Sequence, residues 1–230
     1  MDFFELTQAI DSLAQQYEEL AKAAPEIREA MQNLAQQAKV GVIEPKHLDA
    51  IRRGLFTDRM TGNKMGNQAA YEDFEAGKPK GGVHIRMDAN DFGSINKLHG
   101  FETGNEAIKS MGNAIREAAD ESIGQKKTKL FRIGGDEFHL HAPDHASAAR
   151  FARTLRSKLD SLAPAGGTHR FSMSLGFGHT PAHSEQALIQ AKTAKKAANY
   201  PIGQAQTHVH SLVPGFEGPV PLSQSPYNPR

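Results

Sequence analysis

Acidic side chains at two places in this 230-residue chain have the surroundings of a cation site. Asp136 and Glu137 directly follow the glycine pair Gly134 and Gly135, and Asp88 ends a separate run in which apolar and polar residues alternate. Mg²⁺ prefers oxygen ligands and usually takes one or two protein carboxylates, while phosphates and waters complete its shell. The acids therefore predict a site for a hard cation, and solvated acids on an exposed turn are the alternative.

The elements around these acids predict that they meet at one edge of a sheet. Residues 129–133 and 137–141 have the pattern of two strands, and the glycines between them predict a tight hairpin because glycine takes positive φ at little cost. Residues 83–87 predict another strand, with Asp88 at its end. If these strands are neighbours, one or two Mg²⁺ ions at their edge would bridge a nucleoside triphosphate and activate a hydroxyl for in-line attack on phosphorus.

Helical periodicity and a further alternating run predict the rest of the chain. The order of elements predicts an α+β fold in which helices cover a mostly antiparallel sheet. The predicted helices are a pair over residues 2–40 and single helices near 47–56, 66–74, 103–122, 143–162 and 184–199, and the remaining strands lie at 170–177 and near Val209 and Leu212.

Composition excludes several classes of protein. The chain has no cysteine, which excludes disulfides and thiolate metal sites and fits a reducing compartment. It has no apolar run long enough for a transmembrane helix and no basic, apolar leader at its N-terminus, so we expect a cytoplasmic protein without a membrane partner. A net charge of +1 argues against a general nucleic-acid binder. Acids are concentrated in the first fifty residues, which leaves a basic remainder suited to a phosphate-bearing ligand.

The eleven histidines offer a different kind of metal site. His139 and His141, and likewise His208 and His210, have the spacing of residues on one face of a strand. Because no cysteine and no clear third ligand accompanies them, we expect surface histidines rather than a metal site.

Several motifs in order along the chain resemble those of the GGDEF family, the diguanylate cyclases. The similarity spans roughly residues 58–200, and residues 134–138 are the Gly-Gly-Asp-Glu-Phe signature itself. Residues 58–62 resemble Asp-x-Leu-Thr-Gly, 65–71 resemble Leu-x-Asn-Arg-Arg-x-Phe after an insertion, 88–96 resemble Asp-x-Asp-x-Phe-Lys-x-Ile-Asn, 100–105 resemble Gly-His-x-x-Gly-Asp, 172–176 resemble Thr-x-Ser-Ile-Gly, and 187–192 resemble Ala-Leu-Tyr-x-Ala-Lys.

The resemblance implies a palm-like (ferredoxin-like) nucleotidyl cyclase domain, with a mostly antiparallel five-stranded sheet and flanking helices. We expect this domain over residues 46–212, after an N-terminal helical segment at 1–45 and before a Pro/Gly-rich tail at 213–230. The N-terminal helices are candidates for dimerisation, sensing or attachment to a protein partner, and a stabilising helical cap is the alternative.

The family joins two GTP molecules into cyclic di-GMP, with one nucleotide on each subunit of an antiparallel dimer. The resemblance implies a Mg²⁺ or Mn²⁺ site at Asp88, Asp136 and the Ala89 carbonyl, with Glu137 assisting at the metal or at the attacking hydroxyl. It assigns the other substrate contacts to Asn96 and Asn105 at the base, to Lys192 and Lys196 at the phosphates, and to Phe92, Gly134 and Gly135.

Four single positions and one segment depart from the family pattern. Asn105 replaces an Asp that accepts from guanine; its amide both accepts and donates, a pattern that can pair with adenine, although it can also bind guanine weakly or face solvent. Gly93 replaces a lysine, and Asn90 replaces the second Asp of its motif. Lys196 stands at an arginine position and keeps the charge without the bidentate fork. Residues 125–128 lack the inhibitory Arg-x-x-Asp, so feedback inhibition through that site is not expected.

Three functions are therefore open. The first is a metal-dependent nucleotidyltransferase, acting as a homodimer, that condenses GTP and/or ATP into a cyclic dinucleotide. The second is a catalytically weak or inactive GGDEF domain that serves as a nucleotide-binding or protein-assembly module. The third is a structural protein whose N-terminal helices and tail carry the function.

Overall fold

The computed structural model of the chain describes residues 53–62, 64–125, 128–201 and 203–213, together with Asn33, which is helical. The predicted helices before residue 53 and the tail after residue 213 otherwise lie outside the described residues. The described chain divides into two compact units, of which the first comprises 53–58 and 66–79 and the second comprises 59–65 and 80–213.

The first unit is built around helix α1, Gln68–Ala76. Asn67 caps this helix, because its side-chain oxygen accepts a hydrogen bond from the Ala70 amide at 3.0 Å. The Asn67 side-chain amide also donates to the Leu55 carbonyl at 2.6 Å, and Thr57 and Gly66 form an isolated β-bridge. One asparagine thus satisfies a helix end and ties it to the preceding segment, which confirms the helix predicted near residue 66.

The second unit is a five-stranded sheet with helices on its two faces. The strand order is β2-β3-β1-β4-β5, and all pairs are antiparallel except the parallel pair β4–β5. This arrangement confirms the predicted α+β fold with a mostly antiparallel sheet. The elements are β1 Val83–Ala89, α2 Phe92–Ser122, β2 Lys129–Arg132, β3 Glu137–Ala142, α3 His145–Ser161, β4 Met173–Gly178, α4 Pro181–Ala197 and β5 His208–Ser211.

One face of the sheet forms the hydrophobic core with α2 and α3. Alternate residues of β1 point into it, and Val83, Ile85 and Met87 are each at most 1% exposed. Full burial of each such side chain contributes about 1.5–3 kcal/mol, so this face fixes which side of β1 turns inward. The helices contribute residues at helical spacing, including Ile108, Met111 and Ile115 of α2 and Phe151, Leu155 and Leu159 of α3.

The opposite face of the sheet is polar along β1 and carries α4. Gly176 and Gly178 of β4 make this packing possible, because a Cβ at Gly176 would overlap the backbone of Leu188 and one at Gly178 would lie 2.4 Å from the Ser184 amide nitrogen. The close approach brings the side chains of α4 within reach of the polar residues of β1.

Helix α2 begins earlier than predicted and is kinked. Gly100 has φ 84° and ψ 164°, which interrupts the helix between Phe92 and Ser122. The sequence prediction began at residue 103 because the first segment contains few apolar residues at helical spacing and lies between two glycines, which lowers helix propensity.

The turn between β2 and β3 corrects the predicted role of its glycines. Neither Gly134 nor Gly135 has positive φ, so the predicted hairpin forms without the positive φ that was expected of its glycines. The turn is held instead by Arg132, whose Nε and Nη2 donate to the Gly135 carbonyl at 3.1 and 2.6 Å. A Cβ at Gly134 would lie 3.3 Å from the Glu137 Cβ, whereas the space at Gly135 is open.

The histidines also differ from expectation. His139 is 0% exposed and His208 is 6% exposed, so the prediction of surface histidines is wrong for both, and His141 and His210 are half-buried. His84 Nδ1 lies 3.2 Å from His139 Nε2. Burial, reinforced by the charges of His141 and His179, lowers the pKa of His84 to about 4, and burial also depresses the pKa of His139 well below its usual value. Alternation along a strand distinguishes the two faces of the sheet, but it does not show that the face with the histidines is buried as well.

Acidification from pH 6.5 to pH 4 should destabilise the folded chain. The pKa of His84 is about 4 when folded and about 6.5 when unfolded, so the unfolded state takes up the proton first. His84 alone should then remove about 3 kcal/mol of unfolding free energy at pH 4. Urea denaturation should show that the free energy of unfolding falls less steeply between pH 6.5 and pH 4 for His84→Gln than for the wild type. The exposed His183→Gln should keep the wild-type slope; equal slopes for His84→Gln and wild type would contradict the assignment.

Candidate functional site

The pairing of β1 with β3 brings the predicted metal-binding acids together. Asp88 lies opposite Glu137 in the antiparallel register, and the Ala89 amide donates to the Asp136 carbonyl at 3.1 Å. Asp88 is buried at 8% exposure, while Asp136 and Glu137 are half-buried. The carboxylates therefore lie at one end of two central strands, as the sequence predicted.

The acids perturb one another. Burial raises the pKa of Asp136, and the neighbouring charges of Asp88 and Glu137 raise it further. Lys192 of α4 offsets part of this repulsion, since its Nζ lies 2.7 Å from Asp88 Oδ2. Burial works against the charge on Lys192, but the hydrogen bond and charge of Asp88, together with the charges of Glu137 and Asp136, outweigh it and raise the pKa of Lys192. The Lys192 ammonium thus lies among three acids, Asp88, Asp136 and Glu137.

Arg86 is a site residue that the sequence interpretation missed. Its Nη2 lies 3.3 Å from Glu137 Oε2, and its Nε lies 3.1 Å from Glu185 Oε2 in an ion-pair contact that is not aligned as a hydrogen bond. Arg86 therefore connects β1 to β3 and to α4 beside the acids. Its position two residues before Asp88, on the same face of β1, was the only signal.

Asn90, at the position of the family's second Asp, has a scaffolding role. It is 5% exposed; its Nδ2 donates to Ser172 Oγ at 3.0 Å and to the Gln206 carbonyl at 3.1 Å, and its Oδ1 accepts from Ser174 Oγ at 2.8 Å. A carboxylate could accept the last bond but could not donate the first two. The departure from the family pattern therefore matches a hydrogen-bond network that fixes the β1–α2 connection.

The predicted base contacts lie on either side of the kink in α2. Asn96 lies across it from Gly104, where a Cβ would overlap Asn96 Oδ1 and would lie 3.5 Å from the Phe92 ring. The absence of a side chain at Gly104 thus leaves room for the half-buried Asn96 amide. Asn105, the next residue, has an exposed side chain.

Of the predicted phosphate contacts, Lys192, Gly134 and Gly135 lie beside the acids, whereas no contact of Lys196 with the acids is described. Lys192 lies at Asp88, and Gly134 and Gly135 lie in the turn that precedes the acids. Lys196 is exposed, whereas the preceding residue, Lys195, is held by Asp91.

Comparison with known proteins identifies the family. The family described as "Diguanylate cyclase, GGDEF domain" matches residues 67–201, which is more than half of the chain. The chain therefore belongs to the GGDEF family, and its second unit has a diguanylate cyclase-like fold.

Individual relatives share between 20% and 32% of their residues with this chain in the matched regions. The chain is 32% identical over 108 residues to the uncharacterized protein YhcK of Bacillus subtilis (strain 168), a match that covers 44% of this chain and 28% of that protein. The chain thus spans little more than a quarter of that relative. A diguanylate cyclase/phosphodiesterase from Caldicellulosiruptor saccharolyticus has a TM-score of 0.50 at 21% identity, covering 60% of this chain and 88% of its own. The S helix-GGDEF-EAL structure of Vibrio cholerae LapD, bound to c-di-GMP, has a TM-score of 0.50 at 20% identity. The match covers 67% of this chain and 37% of the LapD chain. These two likenesses show the fold.

Among the described residues, no helix combines the length and the apolar character that crossing a membrane requires.

The pKa of Asp136 should respond in opposite directions to two substitutions. Asp88→Asn removes a negative neighbour and should lower it, whereas Lys192→Met removes a positive neighbour and should raise it. Carboxyl-carbon NMR titration would measure both shifts. The pKa of Asp144, which is lowered chiefly by the Ser147 amide at the start of α3, should stay unchanged in both variants as an internal control. Shifts of Asp136 in the same direction would contradict the geometry.

Proposed function

We propose that the chain is a metal-dependent nucleotidyltransferase that condenses purine nucleoside triphosphates into a cyclic dinucleotide. The observation that carries this proposal is the meeting of Asp88, Asp136 and Glu137 at one end of β1 and β3. Membership of the GGDEF family supports the same function. The proposed assembly is a homodimer in the cytoplasm, with the segment at 1–45 as a dimerisation arm or partner-binding element.

The side chains fit a hard divalent cation. Asp88, Asp136 and the Ala89 carbonyl would hold Mg²⁺ or Mn²⁺, whose preferred ligands are oxygens. The acids already favour positive charge: burial and acidic neighbours raise the pKa of Asp136, and Asp88 binds the Lys192 ammonium at 2.7 Å. When bound, the ion would neutralise phosphate charge and promote deprotonation of the attacking hydroxyl.

The chain's own residues would position the triphosphate and accept the proton. Lys192, with a side chain 47% exposed, can leave Asp88 for the phosphates once a cation takes its place. The open space at Gly135 admits the phosphate chain close to the backbone. Glu137, held by Arg86, would accept the proton of the incoming 3′-hydroxyl. The 3′-oxygen then bonds to the α-phosphorus of the other nucleotide, and the bond from that phosphorus to the bridging oxygen breaks to release pyrophosphate.

The choice of base depends on Asn105 in this proposal. Its amide can accept from and donate to adenine, and its exposed side chain directly follows Gly104, the residue that lies against Asn96. Guanine remains the base that the family resemblance implies, so both GTP and ATP are candidate substrates.

A nucleotide-binding module without turnover is the second candidate function. Gly93 favours it, because no side chain from this position reaches the phosphates. In that case the acids would still bind a cation and nucleotide, but no pyrophosphate would be released.

The wild-type protein with Mg²⁺ or Mn²⁺ should release pyrophosphate from GTP, ATP or their mixture. Asp136→Asn should reduce this rate at least about 100-fold, because it removes a carboxylate at the proposed metal. Asp160→Asn, an exposed acid of α3, is the matched control and should retain the wild-type rate. Nucleotide binding without pyrophosphate release would support the second function instead; neither binding nor release would exclude both.

Mass spectrometry of the products should reveal the base preference. If Asn105 selects adenine, ATP should give an adenine-containing cyclic dinucleotide, and Asn105→Asp should shift the preference toward GTP by about tenfold or more, because a carboxylate only accepts hydrogen bonds. Strict use of GTP by the wild type would exclude the adenine hypothesis while leaving the nucleotidyltransferase proposal intact.

A further inference from the structure

We propose that Lys195 is a phosphate-binding residue of the nucleotide site, an inference that rests on the proposed function. Its Nζ lies 2.7 Å from Asp91 Oδ1, and the two side chains are 22% and 23% exposed. The pair lies at the connection between β1 and α2, which follows Ala89, the residue whose carbonyl would bind the metal in the proposed function.

The spacing of α4 aligns Lys195 with Lys192. Residues three apart on a helix lie on the same face, and these two lysines reach Asp91 and Asp88, which bracket the β1–α2 connection. Lys196, four residues after Lys192, also lies near this face, but its side chain is exposed and it is Lys195 that contacts Asp91. The ammonium groups of Lys192 and Lys195 therefore lie one after the other along the β1–α2 connection, at Asp88 and at Asp91.

The surroundings of Lys195 suit a phosphate group. Helix α2 starts at Phe92, immediately after Asp91; the Ser94 amide donates to the Asp91 carbonyl at 2.9 Å, which leaves the amides of Phe92 and Gly93 as those without an acceptor one turn earlier in the helix. The space where a Cβ of Gly93 would lie contains no heavy atom within 4 Å. A phosphate at this point would meet the Lys195 ammonium and would offer it more anionic oxygens than the single carboxylate of Asp91, through hydrogen bonds that are likewise charge-assisted.

A purely structural role makes different predictions. If the pair only clamps α4 to the connection, loss of either partner should be equally harmful and should affect all ligands alike. If Lys195 binds phosphate, its loss should weaken binding more as the number of phosphates rises. Removal of Asp91 should then release Lys195 and preserve or improve binding.

Binding to the full chain is measured by calorimetry with Ca²⁺ in place of Mg²⁺, to limit turnover, using the tri-, di- and monophosphates of guanosine and adenosine. Lys195→Met should weaken triphosphate binding about tenfold, diphosphate binding less, and monophosphate binding less than twofold. Gly93→Lys added to Lys195→Met should restore most of the loss, because the new side chain starts from the open space in the same turn. Lys158→Met, which removes a lysine paired with Glu117 and Glu121 far along α2, is the matched control and should bind like wild type.

Asp91→Asn keeps the inference testable if Lys195→Met unfolds more easily. Triphosphate binding equal to or stronger than that of wild type supports the phosphate role, and a loss as large as that of Lys195→Met overturns it. A large effect of Lys196→Met with none for Lys195→Met also overturns it. A wild type that binds triphosphates while Lys195→Met binds them equally well refutes this inference alone, whereas a wild type that binds no nucleotide refutes the proposed function as well.

Discussion

The antiparallel pairing of β1 with β3 is the constraint from which the candidate site takes its geometry. It sets Asp88 opposite Glu137 and joins the Ala89 amide to the Asp136 carbonyl. Because side chains alternate along a strand, a slip of one residue would turn Asp88 into the apolar core. The buried residues Ile85 and Met87 oppose that slip, so the hydrophobic face of the strand maintains the position of the acids on its other face.

The packing of α4 supplies the positive charge. Gly176 and Gly178 let this helix approach the sheet closely, and the helix then places Lys192 at Asp88 and Lys195 at Asp91. The acids and their counter-charges therefore come from different elements. This separation leaves the cations on a helix face whose long side chains can move, while the acids stay fixed at the ends of paired strands.

The sequence predicted the elements and the acids well, because both depend on local patterns. Alternation and helical spacing predicted the five strands and, apart from the first part of α2, the helices that pack on them, and the ends of the predicted strands placed Asp88 and Asp136 at one edge. The contacts of Arg86, Asn90 and Lys195 were missed because each involves a partner more than fifty residues away. Burial of His139 was missed for a related reason: a polar residue on an alternating strand predicts a solvated face unless the covering structure is known.

The strength of the Lys192–Asp88 pair bears on whether a cation can enter the site. Half-exposed lysine pairs contribute roughly 0–1 kcal/mol, because solvent screens them and the long side chain loses freedom. A divalent cation would interact with Asp88, Asp136 and a triphosphate together, so it gains from several anionic partners where the lysine has one strong contact. Because the pair contributes so little, its loss would not by itself prevent such a cation from binding. Under the proposed function, the phosphates would give the displaced ammonium a new anion, so metal and nucleotide binding would reinforce each other at this site.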